Sequence, residues 1–310
     1  AAFLIFAERH LDIALLEVGL GGRLDAVNIV DPTVSVISSV DIDHVEWLGS
    51  DREFIGYEKA GIMRHGRVTV YAESNPPRSV REYAQKVGAI LSVNGSDYSY
   101  RDLGNGTWHW QCGERVRSGL PYPALRGARQ LQNAAAALLV VELLQSRLAT
   151  TQSDVRNGLV SVRLAGRFQI LQTTVPTVVD IAHNAQSCAV LAENLRTWPC
   201  LGKTYAIFSA LRDKDITAMA VPLTQIIDEW HVFALAGPRA GNETDLFVRL
   251  SKSPQCGPVY THECIDAAYR ELLARATKND RIVVFGSFQT VAAFLRLIDT
   301  RVAQRVGDSV

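Results

Sequence analysis

The chain has 310 residues, long for one domain and about right for two. Apolar types make up 47% and charged types 21%, which excludes a disordered chain and allows a sizeable core. Lys and Arg number 32 against 32 Asp and Glu, so no global positive field marks a partner such as nucleic acid or an anionic membrane, and neither is expected. Five cysteines (Cys112, Cys188, Cys200, Cys256 and Cys264) are scattered and never spaced C-x-x-C, which fits a reducing cytoplasm better than a disulfide framework. The longest apolar run, Ala134 to Val141, falls well short of the ~20 residues a membrane helix needs.

In chain order, Ala1 to Ala7 is apolar, with no cap ahead of it and no basic segment of a signal peptide. Ile13–Val18 reads as a buried strand running into the cluster Gly19, Gly21 and Gly22, and Thr33–Val40 as a second strand. Residues 50 to 63 turn helical, capped by Ser50 or Asp51. Arg67–Tyr71 is a strand candidate and Arg78–Val87 a helix. Five glycines among aromatics between 94 and 122 predict hairpins; Ala128–Leu148 reads as a long helix and Ser153–Val160 as a shorter one with a Ser cap. A boundary falls near Arg163–Arg167. Beyond it come strand Thr177–Ile181, helix Ser187–Arg196, strand Thr204–Phe208, helix Asp215–Ile227 and strand His231–Leu235. Helices Thr244–Leu250 and Ile265–Ala276, strand Arg281–Phe285 and helix Thr290–Ile298 follow. This alternation predicts an α/β, Rossmann-like domain with a parallel sheet covered on both faces.

Two familiar phosphate loops are absent. Gly202-Lys203-Thr204 resembles the end of a P-loop, but Thr197 stands where its first Gly belongs and the triplet precedes a strand. Gly19-Leu20-Gly21 lacks the third Gly of a dinucleotide fingerprint, Leu24 standing there. Polar groups do gather at predicted strand ends. Glu17 precedes the Gly-rich turn, where an acid can hold Mg²⁺ or simply face solvent; Asp41-Ile42-Asp43-His44 offers a metal pocket or an exposed loop. Lys59 alone says nothing, and Asn133 is either a surface amide or a purine contact. Asp180 and His183, Asp213-Lys214-Asp215 and Ser287 follow three predicted parallel strands, where an α/β sheet binds its ligands.

Longer blocks carry a resemblance. EVGLGGRLDAVNIVDP (Glu17–Pro32), DIDHVEWLG (Asp41–Gly49), DREFIGYEKAGIMR (Asp51–Arg64), LAGRFQ (Leu164–Gln169), DIAHN (Asp180–Asn184), DKD (Asp213–Asp215) and GSFQTV (Gly286–Val291) resemble, in order, the bacterial bifunctional dihydrofolate synthase/folylpolyglutamate synthases of the Mur ligase superfamily. The resemblance implies an ATPase-like central domain over residues 1–164 and a Rossmann-like ligase domain over 165–310. It implies a ligase that phosphorylates a carboxylate of dihydropteroate or of a folate with ATP, then joins L-glutamate to it. Carried over residue by residue, Glu17 binds one Mg²⁺ and His44 a second. Lys59 becomes carbamylated, which requires its neutral amine. Leu24, Asp25 and Ala26 line the pterin site, and Asn133, Arg167 and Asp180 contact the nucleotide. His183, Lys214 and Ser287 serve the glutamate and phosphate side. A cytoplasmic monomer is implied.

The departures generate expectations too. Asn184-Ala185 replaces the Asn-Pro often found after D-x-A-H. The family's phosphate-binding loop and first pterin loop would lie ahead of residue 1, so the start at Ala1 reads as a cut edge and the 310 residues alone are expected to catalyse no appreciable ligation. The alternatives are a UDP-muramyl amino-acid ligase, disfavoured by LGGRLDAVN, and a non-catalytic folate- or nucleotide-binding module, disfavoured by the presence of Glu17, His44 and Lys59. A dehydrogenase is weakened by the missing fingerprint.

Overall fold

In the computed structural model the described residues are 1–9, 11–41, 49, 51–127, 129–237 and 240–307. They divide into two compact units: Ala1–Ala124 with Arg129–Val162, and Leu125–Ala128 with Arg163–Val310.

The first unit opens with α1 (Ala2–Glu8) and a 3₁₀ turn (Ala26–Ile29). Strands β1 (Val34–Ile37), β2 (Val68–Tyr71) and β3 (Ile90–Val93) form a parallel sheet in that order, with Val34 opposite Val68 and Val68 opposite Ile90. Their crossovers are α2 (Arg52–Ala60) and α3 (Arg78–Val87). Asp51, not Ser50, is seen to cap α2 by accepting from the Glu53 N–H; Ser50 lies outside the described residues. Antiparallel strands β4 (Ser99–Asp102), β5 (Thr107–Cys112) and β6 (Arg115–Pro121) make the expected hairpins. Trp108 and Trp110 on β5 are fully buried, and their indole N–H groups donate to Pro121 O (2.8 Å) and Ala135 O (3.0 Å). Buried indoles need such partners, and this pair anchors the hairpin sheet against α4 (Gln130–Leu143), whose Ala135, Leu138 and Leu139 join the same core. α5 (Gln152–Ser161) completes the unit.

Three expectations fail here for local reasons. Ile13–Val18 is not a strand: Leu15 is 93% exposed and no described strand pairs with it, since an apolar run becomes a strand only where a neighbour completes the ladder. α4 ends at Leu143 instead of Leu148, because the Gln145 side chain accepts from Thr150 N and donates to Thr150 O, closing a loop. Thr151 caps α5 in place of a serine, in a capping box with Asp154.

The second unit holds one six-stranded sheet. Its strands are β7 (Gln169–Leu171), β8 (Thr177–Val179), β9 (Thr204–Phe208), β10 (Glu229–Phe233), β11 (Val259–His262) and β12 (Arg281–Phe285). They lie in the order β11-β10-β9-β12-β8-β7, all parallel except the edge strand β7. Its helices are α6 (Ala185–Thr197), α7 (Ile216–Ala220), α8 (Glu243–Ser251), α9 (Ile265–Arg275) and α10 (Phe288–Gly307). Leu191 and Leu195 of α6, Met219 of α7 and Leu250 of α8 pack on one face; Tyr269 and Leu272 of α9 and Phe294 of α10 pack on the other. Continuous apolar strands result, since both faces are covered. The helix expected over Asp215–Ile227 stops at Ala220 and passes into a 3₁₀ turn, because Pro222 has no N–H to continue it.

The two neighbours β8 and β12 leave the sheet in opposite directions, β8 toward α6 on one face and β12 toward α10 on the other. Such a switch point opens a crevice at the carboxyl ends of the strands. Gly286 sits at its floor with φ 115°, and a Cβ there would lie 2.7 Å from the Phe208 ring. Phe208 packs edge-on to Trp230 and tilted against Phe285, with centroids 5.6 and 5.0 Å away. Phe208→Ala is expected to cost about 3–5 kcal/mol, seen as a lower urea midpoint at an unchanged slope.

Candidate functional site

In the second unit the crevice is built around Asp180, immediately beyond β8. Its Oδ2 accepts from the Phe168 N–H and its Oδ1 from the Ala182 N–H, each at 2.8 Å. Burial pushes this carboxyl above its ordinary pKa; the two N–H bonds and the nearby Arg167 and His183 pull the other way. His183 Nδ1 lies 3.0 Å from the Ile181 carbonyl, which only accepts, so Nδ1 carries a proton and Nε2 points onward as the free ring position. Asn184 caps α6 by accepting from Ser187 N, and the Ser187 hydroxyl accepts from the backbone N–H of His183 and Asn184. The Asn184-Ala185 departure leaves that cap intact.

Phe288, the first residue of α10, draws the cluster together. Its ring is 61% exposed, 5.9 Å from the His183 ring and 5.9 Å from the Arg167 guanidinium. An exposed aromatic flanked by a cation and an imidazole is a binding feature that residue-by-residue reading passed over, although its block was in view. Ser287 is buried and committed to the helix start. Thr290 Oγ1 donates to Ser209 O (2.6 Å), so Ser287 donates its hydroxyl to Thr290 Oγ1 (2.8 Å) and accepts from Thr290 N (3.0 Å). Lys214 stands on the loop after β9, with its Nζ 3.6 Å from Asp213 Oδ2. Arg167, Asp180, His183 and Ser287 are thus brought to one crevice, with Lys214 on the next loop. In the Gly202-Lys203 pair, Lys203 bonds Glu229 at 2.9 Å.

In the first unit Asp25 organises the Gly-rich turn, accepting from Val27, Gly19 and Leu20 N–H groups, which hold its carboxyl below the ordinary range. Leu24 is 80% exposed beside it and Ala26 is exposed too. The turn sits on the last turn of α2: Arg23 N donates to Glu58 O (2.8 Å), the Arg23 guanidinium pairs with Glu58 (2.9 Å), and Gly22 approaches the Glu58 and Lys59 carbonyls. Asn28 Nδ2 donates to Gly61 O (3.0 Å) and Arg64 Nη2 donates to Asn28 O (2.7 Å), with Asp31 on the same guanidinium. The Glu17–Pro32 and Asp51–Arg64 blocks are therefore stapled together, which brings Leu24, Asp25 and Ala26 close to the helix end that carries half-buried Lys59. Glu17 is exposed ahead of the turn, and His44, with Ile42 and Asp43, lies outside the described residues. Asn133 is exposed on the first turn of α4, where Arg129, which precedes that turn, pairs with Glu73 at 3.1 Å.

One group of candidate metal ligands occurs among the described residues, and sequence reading did not anticipate it: His231 on β10, His262 on β11 and Glu271 on α9. Its hydrogen bonding assigns every proton. Arg275 only donates, so His231 Nε2 accepts from it (3.1 Å); His231 Nδ1–H then donates to His262 Nε2 (2.9 Å), and His262 Nδ1–H faces Glu271 Oε2 (3.7 Å). The nitrogen a metal would need on His231 carries a hydrogen, and the Arg275 cation stands beside it. The group is a closed relay, braced by Glu229 against Arg275 and by the Tyr205 and Tyr260 rings.

Comparison with known proteins bears on the same residues. The glutamate ligase domain of the Mur ligases matches residues 166–288, from the corner before β7 to the first residue of α10. The dihydrofolate synthase/folylpolyglutamate synthase of Escherichia coli strain K12 is 35% identical over 301 residues, covering 97% of this chain and 68% of that protein. The chain belongs to the dihydrofolate synthase/folylpolyglutamate synthase family. The fold agrees: E. coli FolC in complex with DHPP and ADP matches with a TM-score of 0.89 at 34% identity, over 97% of this chain and 69% of that one. A bifunctional folylpolyglutamate synthase/dihydrofolate synthase with Mn, AMPPNP and L-glutamate bound matches at 0.85 and 37% identity, over 96% and 70%. By family, then, the chain is an ATP-dependent acid–amino acid ligase. No helix among its described residues is long and apolar enough to cross a membrane.

The histidine relay gives a pH signature. Burial, the neighbouring His262 and Arg275 push His231 down to about 3, while burial first and then Arg275 lower His262. His231 stays neutral when folded while its unfolded form takes up a proton below about pH 6.5, so its share of stability is lost as pH falls from there, and the lowered His262 acts in the same direction. His231 is expected to contribute about 1.4 kcal/mol of loss per pH unit below that point. Urea midpoints between pH 7.5 and 5 should fall less for a His231→Gln/His262→Gln variant than for the parent; parallel curves would count against the relay.

Proposed function

We propose that the chain joins the amine of L-glutamate to a carboxylate of dihydropteroate or of a folate, using ATP. The observation that carries this is the crevice of Arg167, Asp180, His183 and Phe288 at the switch point of a sheet whose family is that of the dihydrofolate synthase/folylpolyglutamate synthases. The substrate carboxylate attacks the γ-phosphorus and ADP leaves. The glutamate amine then attacks the acyl carbon, and phosphate departs as the new C–N bond forms. Activation is required because a carboxylate is a poor acyl donor, whereas a mixed anhydride is a good one.

Residue roles follow within each unit. Leu24, Asp25 and Ala26 offer an exposed apolar and polar edge for the pterin, with Asp25 holding the turn in shape. Glu17 and His44 are the proposed holders of two Mg²⁺ ions; the exposed carboxylate of Glu17 suits a hard cation, which would neutralise charge on the phosphates. Lys59, at the helix end under the Gly-rich turn, is the proposed site of carbamylation, which turns a cation into a carboxylate on that side. In the second unit Arg167 serves the nucleotide phosphates or ribose, and Asp180 fixes the crevice wall; Asn133 in the first unit is the further nucleotide contact. His183, with its free Nε2, and Lys214 serve the glutamate and phosphate side, and Ser287 does so by holding the start of α10. The proposal takes residues 1–164 as the ATPase-like domain, 165–310 as the ligase domain, and the protein as a cytoplasmic monomer whose free cysteines suit a reducing compartment.

The test is glutamate- and dihydropteroate-dependent ADP release by the full-length enzyme. Glu17→Ala, His44→Ala and Lys59→Ala are each expected to lower the rate by about 100-fold. Normal rates in all three would remove the metal-site assignment, and ligation of a UDP-muramyl acceptor in place of dihydropteroate would overturn the substrate class.

A further inference from the structure

Arg167 is held on an unusually constrained corner. It lies between Gly166 at φ 69° and Phe168 at φ 41°, so the residue on each side of it is left-handed. Phe168 is one of two described residues other than glycine with a positive φ, the other being Gln255. A bulky residue keeps that conformation only where its surroundings impose it. Four contacts do so. The Phe168 N–H ends on Asp180 Oδ2 (2.8 Å), and its buried ring packs edge-on to Trp198, with centroids 6.5 Å apart. Gly166 O accepts from Ile181 N (2.9 Å), and Gly166 N donates to the side-chain Oε1 of Gln169 (3.0 Å). A Cβ at Gly166 would meet Ile181 Cγ2 at 2.8 Å and Val291 Cγ1 at 2.9 Å, so the corner is also pressed against its neighbours.

Of these contacts the one from Gln169 has no other evident task. Its side chain, at the start of β7, reaches back three residues to occupy the Gly166 N–H. We propose that Gln169 is a positioning residue for ATP binding: its acceptor oxygen locks the Gly166–Phe168 corner and thereby aims the Arg167 guanidinium along the Phe288 ring and into the crevice. A guanidinium on a flexible stem loses much of its binding contribution to ordering, and a backbone fixed on both sides removes part of that cost in advance. This rests on Arg167 being a nucleotide contact, as proposed above.

The experiment is titration of the full-length enzyme with MgATP by calorimetry, with thermal melts of every variant. Arg167→Ala is expected to weaken binding by about 10- to 100-fold, the range for losing a charged hydrogen bond. Gln169→Ala should weaken it by about 3- to 10-fold with little change in melting midpoint, as for one lost neutral hydrogen bond that orders a loop. Gln169→Glu keeps an acceptor of the same reach and should restore the parent affinity. The Arg167→Ala/Gln169→Ala double variant should bind no more weakly than Arg167→Ala, because a residue that acts only through Arg167 has nothing left to aim; independent structural effects would add. If Arg167→Ala weakens binding while Gln169→Ala does not, or if Gln169→Glu fails to rescue, or if the double variant is additive, the positioning role is wrong. If Arg167→Ala leaves the affinity unchanged, the nucleotide contact itself falls, and the positioning role with it.

Discussion

Two backbone N–H groups, from Phe168 and Ala182, end on the two oxygens of one carboxylate, and the crevice of the second unit takes its shape from that clamp. Asp180 stands where β8 stops, and by gripping Phe168 it ties the lead-in to the antiparallel edge strand β7 back onto the loop that follows β8. A carboxylate satisfied by two amides is more a structural brace than an open acid, and its half-buried setting raises the cost of leaving either amide unmade. Everything chemically useful nearby is arranged around this brace: Arg167 on one side, His183 with its outward nitrogen on the other, and the Phe288 ring between them.

The zero net charge acquires a meaning at this scale. A protein that handles phosphates has no overall positive field to draw them in, so cationic groups must be presented singly and in fixed places. The structure spends its arginines accordingly. Arg23 and Arg64 lace the Gly-rich turn to α2 and its end, Arg275 terminates the histidine relay, and Arg281 is buried against the Leu195 and Trp198 carbonyls. Arg167 stands exposed over an aromatic ring. The contrast separates cations that build the fold from one left open at the crevice, where a nucleotide contact is proposed.

Much of this was legible in the chain. Strands such as Thr204–Phe208 and Arg281–Phe285 are short, apolar and bounded by polar residues, and they stand where they were expected because a doubly covered parallel strand leaves no other pattern. The polar groups after those strands could likewise be read, since strand ends in such sheets face the crevice. What could not be read depended on partners distant in sequence. Ile13–Val18 has the composition of a strand and no ladder among the described residues. Gln169–Leu171 has little strand character of its own and becomes one because β8 lies open beside it. The relay of His231 and His262 needs β10 beside β11, a pairing that residue spacing does not announce. Phe288 is turned outward by its place at the start of α10, which its own sequence block does not announce.

The position of β12 has a further consequence, for the order in which the molecule can be made. It is the last strand in the sequence, yet it lies between β8 and β9, near the middle of the sheet. A ribosome must release residue 285 before β8 and β9 can be bridged at all. Until then the half-built unit has two open parallel edges, one on each side of a missing strand, lined by Val178, Val179, Ala206 and Ile207. Joining them pairs Ile282 with Thr177 and Arg281 with Thr204, both far apart in sequence, so this sheet belongs with slow-forming, non-local topologies. Open edges of this composition are the surfaces that chaperones shield during synthesis. The ligand crevice, which forms only where β12 meets its neighbours, comes into being last.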